Sequence, residues 1–303
     1  MGGILVPMGK GTEPVVVPVV GVIGLGDIGD GVANSVLAAG LPLVVCDVRD
    51  EATGKYRGRA LLADSPAELA QRSDVVVVAV VNDAQVHAVL SGPEGALASA
   101  GPMTTVLIVS TISAGCVEAI GVESAEAGVA VVDCGVSGGP SAAASGDLVC
   151  MVGGDPATIE DIRPVLDAIS SLVVRMGPFG AGLTAKLARN LVQYGSWLAA
   201  YEGQLLAEAA GIDLGKLAQV IKASDARIGG ASTLMFRSTV APFTESDNEG
   251  LVSAMRSAAA LAHKDLRAAL EVAGTLGVTL PMAALTEDRC DDIFGVGTGR
   301  EAL

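Results

Sequence analysis

No apolar run in this chain is long enough to cross a membrane. Half of its 303 residues are apolar, yet the longest runs, such as the one in "DVVVVAVV", are strand-sized and far short of the roughly 18 residues a membrane helix needs. The chain therefore reads as soluble. Basic residues are few, 19 Lys and Arg against 34 Asp and Glu. The resulting net charge of −15 argues against a nucleic-acid surface. The five cysteines, Cys46, Cys116, Cys134, Cys150 and Cys290, form no C-x-x-C pair. An odd, scattered set of this kind fits reduced cytoplasmic thiols better than a disulfide framework. There are only two histidines, His87 and His263, each read as a helix-surface or interface residue, which disfavours Ser-His-Asp chemistry. No H-E-x-x-H motif, Cys/His spacing or carboxylate cluster suggests a metal site, so none is expected. No repeat stands out, and no low-complexity tract beyond an alanine bias.

What is present is an alternation. After a Gly/Pro-rich start, residues 1–18, which reads as a loose tail without the features of a secretory signal, β-branched runs alternate with Ala-rich helical segments. Candidate strands cover 19–24, 43–47, 74–80, 104–109, 129–133, 147–152 and 171–176. Between them lie helix start signals: in "DSPAELAQRS", Ser65 is an N-cap, Pro66 opens the helix and Glu68 completes a capping box. Continuous Val/Ile strands are buried on both faces, as in a parallel sheet covered by helices. The texture changes after "MGPFGAG". From Leu183 to Ala210 there is no proline, and such a helix would span roughly 40 Å. Further helices are expected over 213–223, 250–275 and 281–293. The expected fold is thus α/β: a Rossmann doubly wound sheet over 19–180, then an all-helical domain over 181–303, joined by a long interdomain helix.

The stretch "VVGVIGLGDIGDGVANSVLAAGLPLVVCDV" carries the first chemical signal. Gly24, Gly26 and Gly29 lie between a strand and a helix, and Asp47 ends the next strand, 21 residues after Gly26. This is the setting a dinucleotide fingerprint requires. The first glycine makes the tight turn, the second lets backbone approach a pyrophosphate, and the third lets helix pack on strand. Leu25, Asp27 and Ile28 complete the turn, with the Asp27 side chain expected in solvent. Asp47 would accept hydrogen bonds from ribose hydroxyls and favours NAD over NADP; Arg49, two residues on, could still pair with a 2′-phosphate.

Five stretches in order, "GLGDIG", "STIS", "VSGGPSAAASGDLVCMVGG", "GAGLTAKLARN" and "HKDLRAALEVAGTLGVTLP", make nearly the whole chain after residue 18 resemble the β-hydroxyacid dehydrogenase family, the group of 3-hydroxyisobutyrate and 6-phosphogluconate dehydrogenases. The resemblance implies an NAD(P)-dependent oxidoreductase interconverting a small β-hydroxy acid and its semialdehyde. It makes Lys186 the general acid/base, and Asn190, four residues on, the residue that holds it and the substrate. Ser137, Gly138 and Gly139 would bind the substrate carboxylate, a role suited to small turn residues presenting a hydroxyl and N–H groups. Val80, Val81 and Thr111 would line the cofactor path, and Lys264 would lie near the nicotinamide; its rival reading is a helix-surface ion pair with Asp265 or a neighbour. Hydride transfer coupled to a lysine needs that lysine's pKa brought down by burial or positive neighbours.

Where relatives carry a second asparagine the chain has Arg189, and Val80–Val81 replaces a leucine-proline pair. Arg189, Arg227 and Arg237 are candidate partners for a second anionic group on the substrate. Two other readings are kept: an imine reductase-type NADPH enzyme on the same scaffold, and a non-catalytic cofactor-binding interaction protein. The retained Lys186 and Asn190 weigh against both. The apolar helices 183–210 and 250–275 suit a homodimer or homotetramer.

Overall fold

The computed structural model describes residues 4–6 and 15–297. The chain falls into two compact units, one ending at Arg189 and the other starting at Asn190. An antiparallel pair, β1 (Ile4–Val6) and β2 (Val15–Val17), comes first. Part of the stretch expected as a loose tail is therefore an antiparallel strand pair, because two short apolar segments rich in β-branched residues pair with each other; the rest of that expectation lies outside the described residues. The order then runs β3 (Val20–Ile23), α1 (Asp27–Ala38), β4 (Leu43–Cys46), α2 (Asp50–Gly54), β5 (Leu61–Leu62), α3 (Pro66–Gln71), β6 (Val75–Val78) and α4 (Asp83–Leu90). It continues with β7 (Thr105–Ile108), α5 (Ala114–Ala127), β8 (Ala130–Ser137), α6 (Gly139–Ser145), β9 (Leu148–Gly153), α7 (Pro156–Asp161), α8 (Arg163–Ile169) and β10 (Ser170–Gly177). Helix α9 (Ala181–Ala209) starts in the first unit and ends in the second, where α10 (Leu214–Ile228), α11 (Glu249–Leu276), α12 (Pro281–Asp288) and α13 (Cys290–Ile293) follow.

Eight strands form one sheet in the order β10-β9-β8-β7-β6-β3-β4-β5. Strand β3 pairs with both β4 and β6 in parallel, so the winding direction reverses at β3 and a crevice opens beyond the carboxyl ends there. The valine runs explain themselves: Val75 and Val77 of β6 face one core, Val76 and Val78 the other. A strand covered on both faces needs apolar residues at every position, not at alternate ones.

The sheet is not parallel throughout. Strand β9 runs antiparallel to β8, and β10 is parallel to β9. The link from β8 to β9 holds only the seven-residue α6, too little chain for a parallel crossover, which takes a dozen residues or more. The β9–β10 link contains α7 and α8 and has length enough.

Capping follows the local chemistry. Ser65 accepts the Glu68 N–H (3.2 Å), and Glu68 reaches back to the Asp64 N–H (2.7 Å), one residue before the cap itself. In the second unit the expected helix over 281–293 breaks at Arg289 into α12 and α13. Buried Glu202 of α9 accepts the Met282 and Ala283 N–H groups at the start of α12 (2.7 and 2.9 Å). Among the described residues no helix is long and apolar enough to cross a membrane.

Candidate active site

The glycine turn sits at the carboxyl end of β3, and its three glycines have three different reasons. Gly24 has φ +88°, and a Cβ there would lie 2.6 Å from the Ala79 carbonyl oxygen. A Cβ on Gly29 would overlap the Gly24 carbonyl oxygen, so α1 can cross β3 this closely only with glycine. Gly26 has no structural need of this sort; a Cβ there would meet nothing. What Gly26 leaves open is one wall of a cavity of about 370 Å³ beyond the strand ends. Asp27 and Ile28 share that wall, Asp27 exposed and Ile28 half-buried. Leu25 is buried in the core beneath the turn.

Asp47 follows β4 and turns toward the glycines. Its Oδ2 accepts the Leu25 N–H (2.6 Å). Arg49 donates to Asp47 three times, from its backbone N–H (2.9 Å), Nε (3.0 Å) and Nη2 (3.2 Å). Burial pushes the Asp47 carboxyl up, but the hydrogen bonds from the Arg49 side chain and the two backbone N–H groups outweigh it, and its pKa is lowered.

The opposite wall comes from the ends of β6 and β7. Val80, Val81 and Thr111 line the cavity, together with Ser110. Ser110 Oγ accepts the Val80 N–H (2.9 Å) and donates to the Val78 carbonyl (3.3 Å), tying the two strand ends together. The sequence signal for it is a second hydroxyl beside Thr111 at the strand end in "IVSTIS".

The floor is β8 and the first turns of α9. Gly139 and Val136 line the cavity, and Lys186 reaches it from α9. Ser137 is half-buried at the end of β8, and Gly138 and Gly139 both have positive φ, +125° and +70°. The Lys186 ammonium donates to the Val136 carbonyl. Burial, and then the charge of Arg189, hold the Lys186 pKa below the ordinary lysine value. Gly135 makes this approach possible: a Cβ there would lie 2.5 Å from Lys186 Cβ and 2.7 Å from the Gly182 carbonyl oxygen. Sequence reasoning missed Gly135, although a glycine inside a strand marks a close backbone approach.

Asn190 and Lys264 belong to the second unit. Lys264 is 70% exposed and pairs with Asp265 at 3.1 Å. The Arg237 guanidinium lies 3.9 Å from the centre of the Phe243 ring and donates to the Ala241 carbonyl, while Arg227 is exposed in the last turn of α10. His263 bridges Glu287 and Asp291 (2.9 and 3.2 Å), and His87 is exposed on α4. Among the described residues, no group of three or more His, Cys, Asp or Glu could hold a metal ion.

Comparison with known proteins agrees with this geometry. Residues 19–177 match the NAD binding domain of 6-phosphogluconate dehydrogenase. Residues 180–299 match the NAD-binding region of NADP-dependent 3-hydroxyisobutyrate dehydrogenase. The chain is 38% identical over 284 residues to an uncharacterized oxidoreductase of Mycobacterium tuberculosis, covering 92% of this chain and 94% of that one. It is 36% identical over 267 residues to the L-threonate dehydrogenase of Cupriavidus necator, covering 88% and 86%. Among solved structures, an oxidoreductase candidate from Mycobacterium avium superposes with a TM-score of 0.84 at 34% identity, covering 92% of this chain and 99% of that one.

Proposed function

The chain belongs to the β-hydroxyacid dehydrogenase family, and from that premise we propose that it interconverts a small β-hydroxy acid and its semialdehyde, with Lys186 moving the proton. It is an NAD(P)-dependent oxidoreductase acting on a CH–OH group. The observation that carries the finer reading is the placement of the Lys186 ammonium. It opens on the same cavity as Gly26 and is bonded to the carbonyl one residue before Ser137.

The residues present suit NAD or NADP. The open side of Gly26 and the packing needs of Gly24 and Gly29 fit a pyrophosphate at the start of α1. Asp47 would take the adenosine ribose, and Val80, Val81 and Thr111 the path toward the nicotinamide. NAD is the preferred cofactor in this reading, since a carboxylate opposes a 2′-phosphate. When bound, the nicotinamide supplies the hydride acceptor for oxidation or the donor for reduction. In oxidation, neutral Lys186 takes the proton from the substrate hydroxyl oxygen; in reduction, its ammonium returns that proton to the carbonyl oxygen. Ser137, Gly138 and Gly139 orient the substrate by holding its carboxylate through a hydroxyl and backbone N–H groups.

Two coarser features belong with this reading. Leu191, Trp197 and Tyr201 of α9 are 74%, 59% and 56% exposed, which supports a homodimer or homotetramer, testable by light scattering. The five free thiols, four of them buried, support a reducing cytoplasmic setting. The reaction is tested by following NADH and NADPH oxidation with a panel of C3–C4 semialdehydes, and the reverse reaction with β-hydroxy acids and L-threonate. Turnover of at least one semialdehyde is expected. A panel with none in either direction would overturn the proposal.

A further inference from the structure

One buried acid takes no part in the chemistry above. Asp133 lies in β8, fully buried, and both of its carboxylate oxygens accept backbone N–H groups. Oδ1 takes that of Gly180 and Oδ2 that of Leu183, both at 2.6 Å. Gly180 immediately precedes α9 and Leu183 is its third residue, and the first N–H groups of any helix have no partner within it. The carboxylate caps this helix from a neighbouring strand, 47 residues away in sequence from Gly180. A carboxylate also suits the positive end of the helix dipole.

The surroundings leave this contact little play. A Cβ on Gly153 would overlap Asp133 Oδ1, and a Cβ on Gly182 would lie 2.9 Å from Oδ2. Burial pushes the Asp133 carboxyl up, and the Leu183 and Gly180 N–H groups oppose this without cancelling it.

Leu183 precedes Lys186 by three residues, so a group that fixes Leu183 fixes the turn on which Lys186 stands. Strand β8 holds Lys186 at three heights. Asp133 holds the helix start, Gly135 admits the side-chain stem, and the Val136 carbonyl takes the ammonium. The same strand then runs straight into Ser137, Gly138 and Gly139.

We infer that Asp133 is a positioning residue for Lys186: by clamping the first turn of α9 onto β8 it sets the place of the ammonium against the cavity and the Ser137 turn. The inference rests on the proposed role of Lys186, but the structural claim can be read without any turnover.

Asp133→Asn is the informative substitution. It keeps the volume, yet an amide can accept only one of the two N–H groups and presents a donor to the other. Loosening the first turn would let water reach the Lys186 ammonium, so the pKa of that lysine would rise toward the ordinary value. The probe is an amine-reactive acylating reagent applied to the full-length protein across a pH series. Peptide mass spectrometry reads the modification of Lys186, with exposed Lys264 as internal standard. For Asp133→Asn the Lys186 midpoint is expected to move up by about half a pH unit or more, while NADH binding, read by fluorescence, stays within about twofold. In an active preparation kcat would fall about tenfold, as expected when a reacting group is misplaced. Asp133→Ser, whose side chain is one atom shorter and leaves the two N–H groups without the carboxylate oxygens, should give a shift at least as large in the same direction.

An unchanged midpoint would overturn the inference. So would a downward shift, because removing a nearby negative charge destabilises the ammonium and would mean that Asp133 acts by charge and not by placement. If neither variant folds, Asp133 belongs to the general core and the inference also fails. A wild-type protein without turnover would refute the proposed reaction instead, and leaves the labelling result readable.

Discussion

Arg49 grips Asp47 through both carboxylate oxygens, Nε to Oδ1 at 3.0 Å and Nη2 to Oδ2 at 3.2 Å, with the aspartate side chain 7% and the arginine side chain 50% exposed. The two residues that pull cofactor choice in opposite directions are thus one unit. The carboxylate is positioned by the guanidinium, whose exposed half remains able to meet an added phosphate. Arg49→Ala is expected to lower kcat/KM for NADPH by about tenfold relative to NADH, the scale of one charged hydrogen bond. Asp47→Ala should move the ratio by a similar factor toward NADPH. Steady-state kinetics with both cofactors decides, and an unmoved ratio in both variants would place cofactor selection elsewhere.

The Lys186 amine sets a pH dependence whose sign depends on direction. Oxidation needs the neutral amine, so kcat/KM should rise with pH through a midpoint below the ordinary lysine value of 10.5. Reduction needs the ammonium and should fall through the same region. Arg189 is one of the two groups of causes lowering that pKa, so Arg189→Ala should carry the midpoint upward. Lys186→Ala is expected to cost about 10²–10⁴ in turnover while NADH still binds.

The glycines of the turn separate packing from binding. Gly29→Ala puts a methyl into the Gly24 carbonyl, and thermal unfolding should show a loss of about 2 kcal/mol or more. Gly26→Ala meets nothing in the protein. Its stability should stay within about 0.5 kcal/mol of the parent, while NADH affinity drops. Equal destabilisation by both would deny the cavity side of Gly26 its role.

The second unit carries a titrating clamp. His263 of α11 bonds to Glu287 of α12 and Asp291 of α13, and the Glu287 contact, opposed by burial and aided by Asp291, leaves the histidine pKa raised above 6.5. A raised folded-state pKa stabilises the fold below the unfolded value, and that contribution fades as pH climbs through the folded value. Melting curves of His263→Ala and the parent should therefore differ most below pH 6.5 and converge in alkaline buffer. A gap that widens with pH would refute the sign.

Much of this architecture could be read from the sequence, for local reasons. The seven expected strands of the sheet all occur, from Val20–Ile23 to Ser170–Gly177, because strands buried on both faces leave unbroken valine runs. The glycine turn was legible because three glycines, a strand and an acid stand at fixed spacing. Other features depend on distant partners. The antiparallel turn of β9 is set by the length of a link, and β5 has only two residues. The β8 contacts of α9 join residues about 50 apart, Asp133 to Leu183 and Val136 to Lys186. Nothing in "VDCGVS" read alone announces that its aspartate caps a helix or that its glycine admits a lysine.

The reversal of β9 has a consequence for where the reacting amine falls. Because β9 descends beside β8 and β10 descends with it, the chain leaves the sheet level with Asp133, four residues below Ser137 at the tip of β8, where Gly177 pairs with Gly153 and Gly153 with Asp133. Helix α9 then climbs alongside β8 and delivers its lysine at the rim on the second turn. Had β9 and β10 both run upward, the helix would have been launched from the rim itself, and its early residues would have passed the pocket mouth before any could enter it. The three residues between Gly177 and Ala181 therefore act as a phase setting. A residue added or removed there must be absorbed before Ala181, or it would rotate the amine by about 100° around the helix axis.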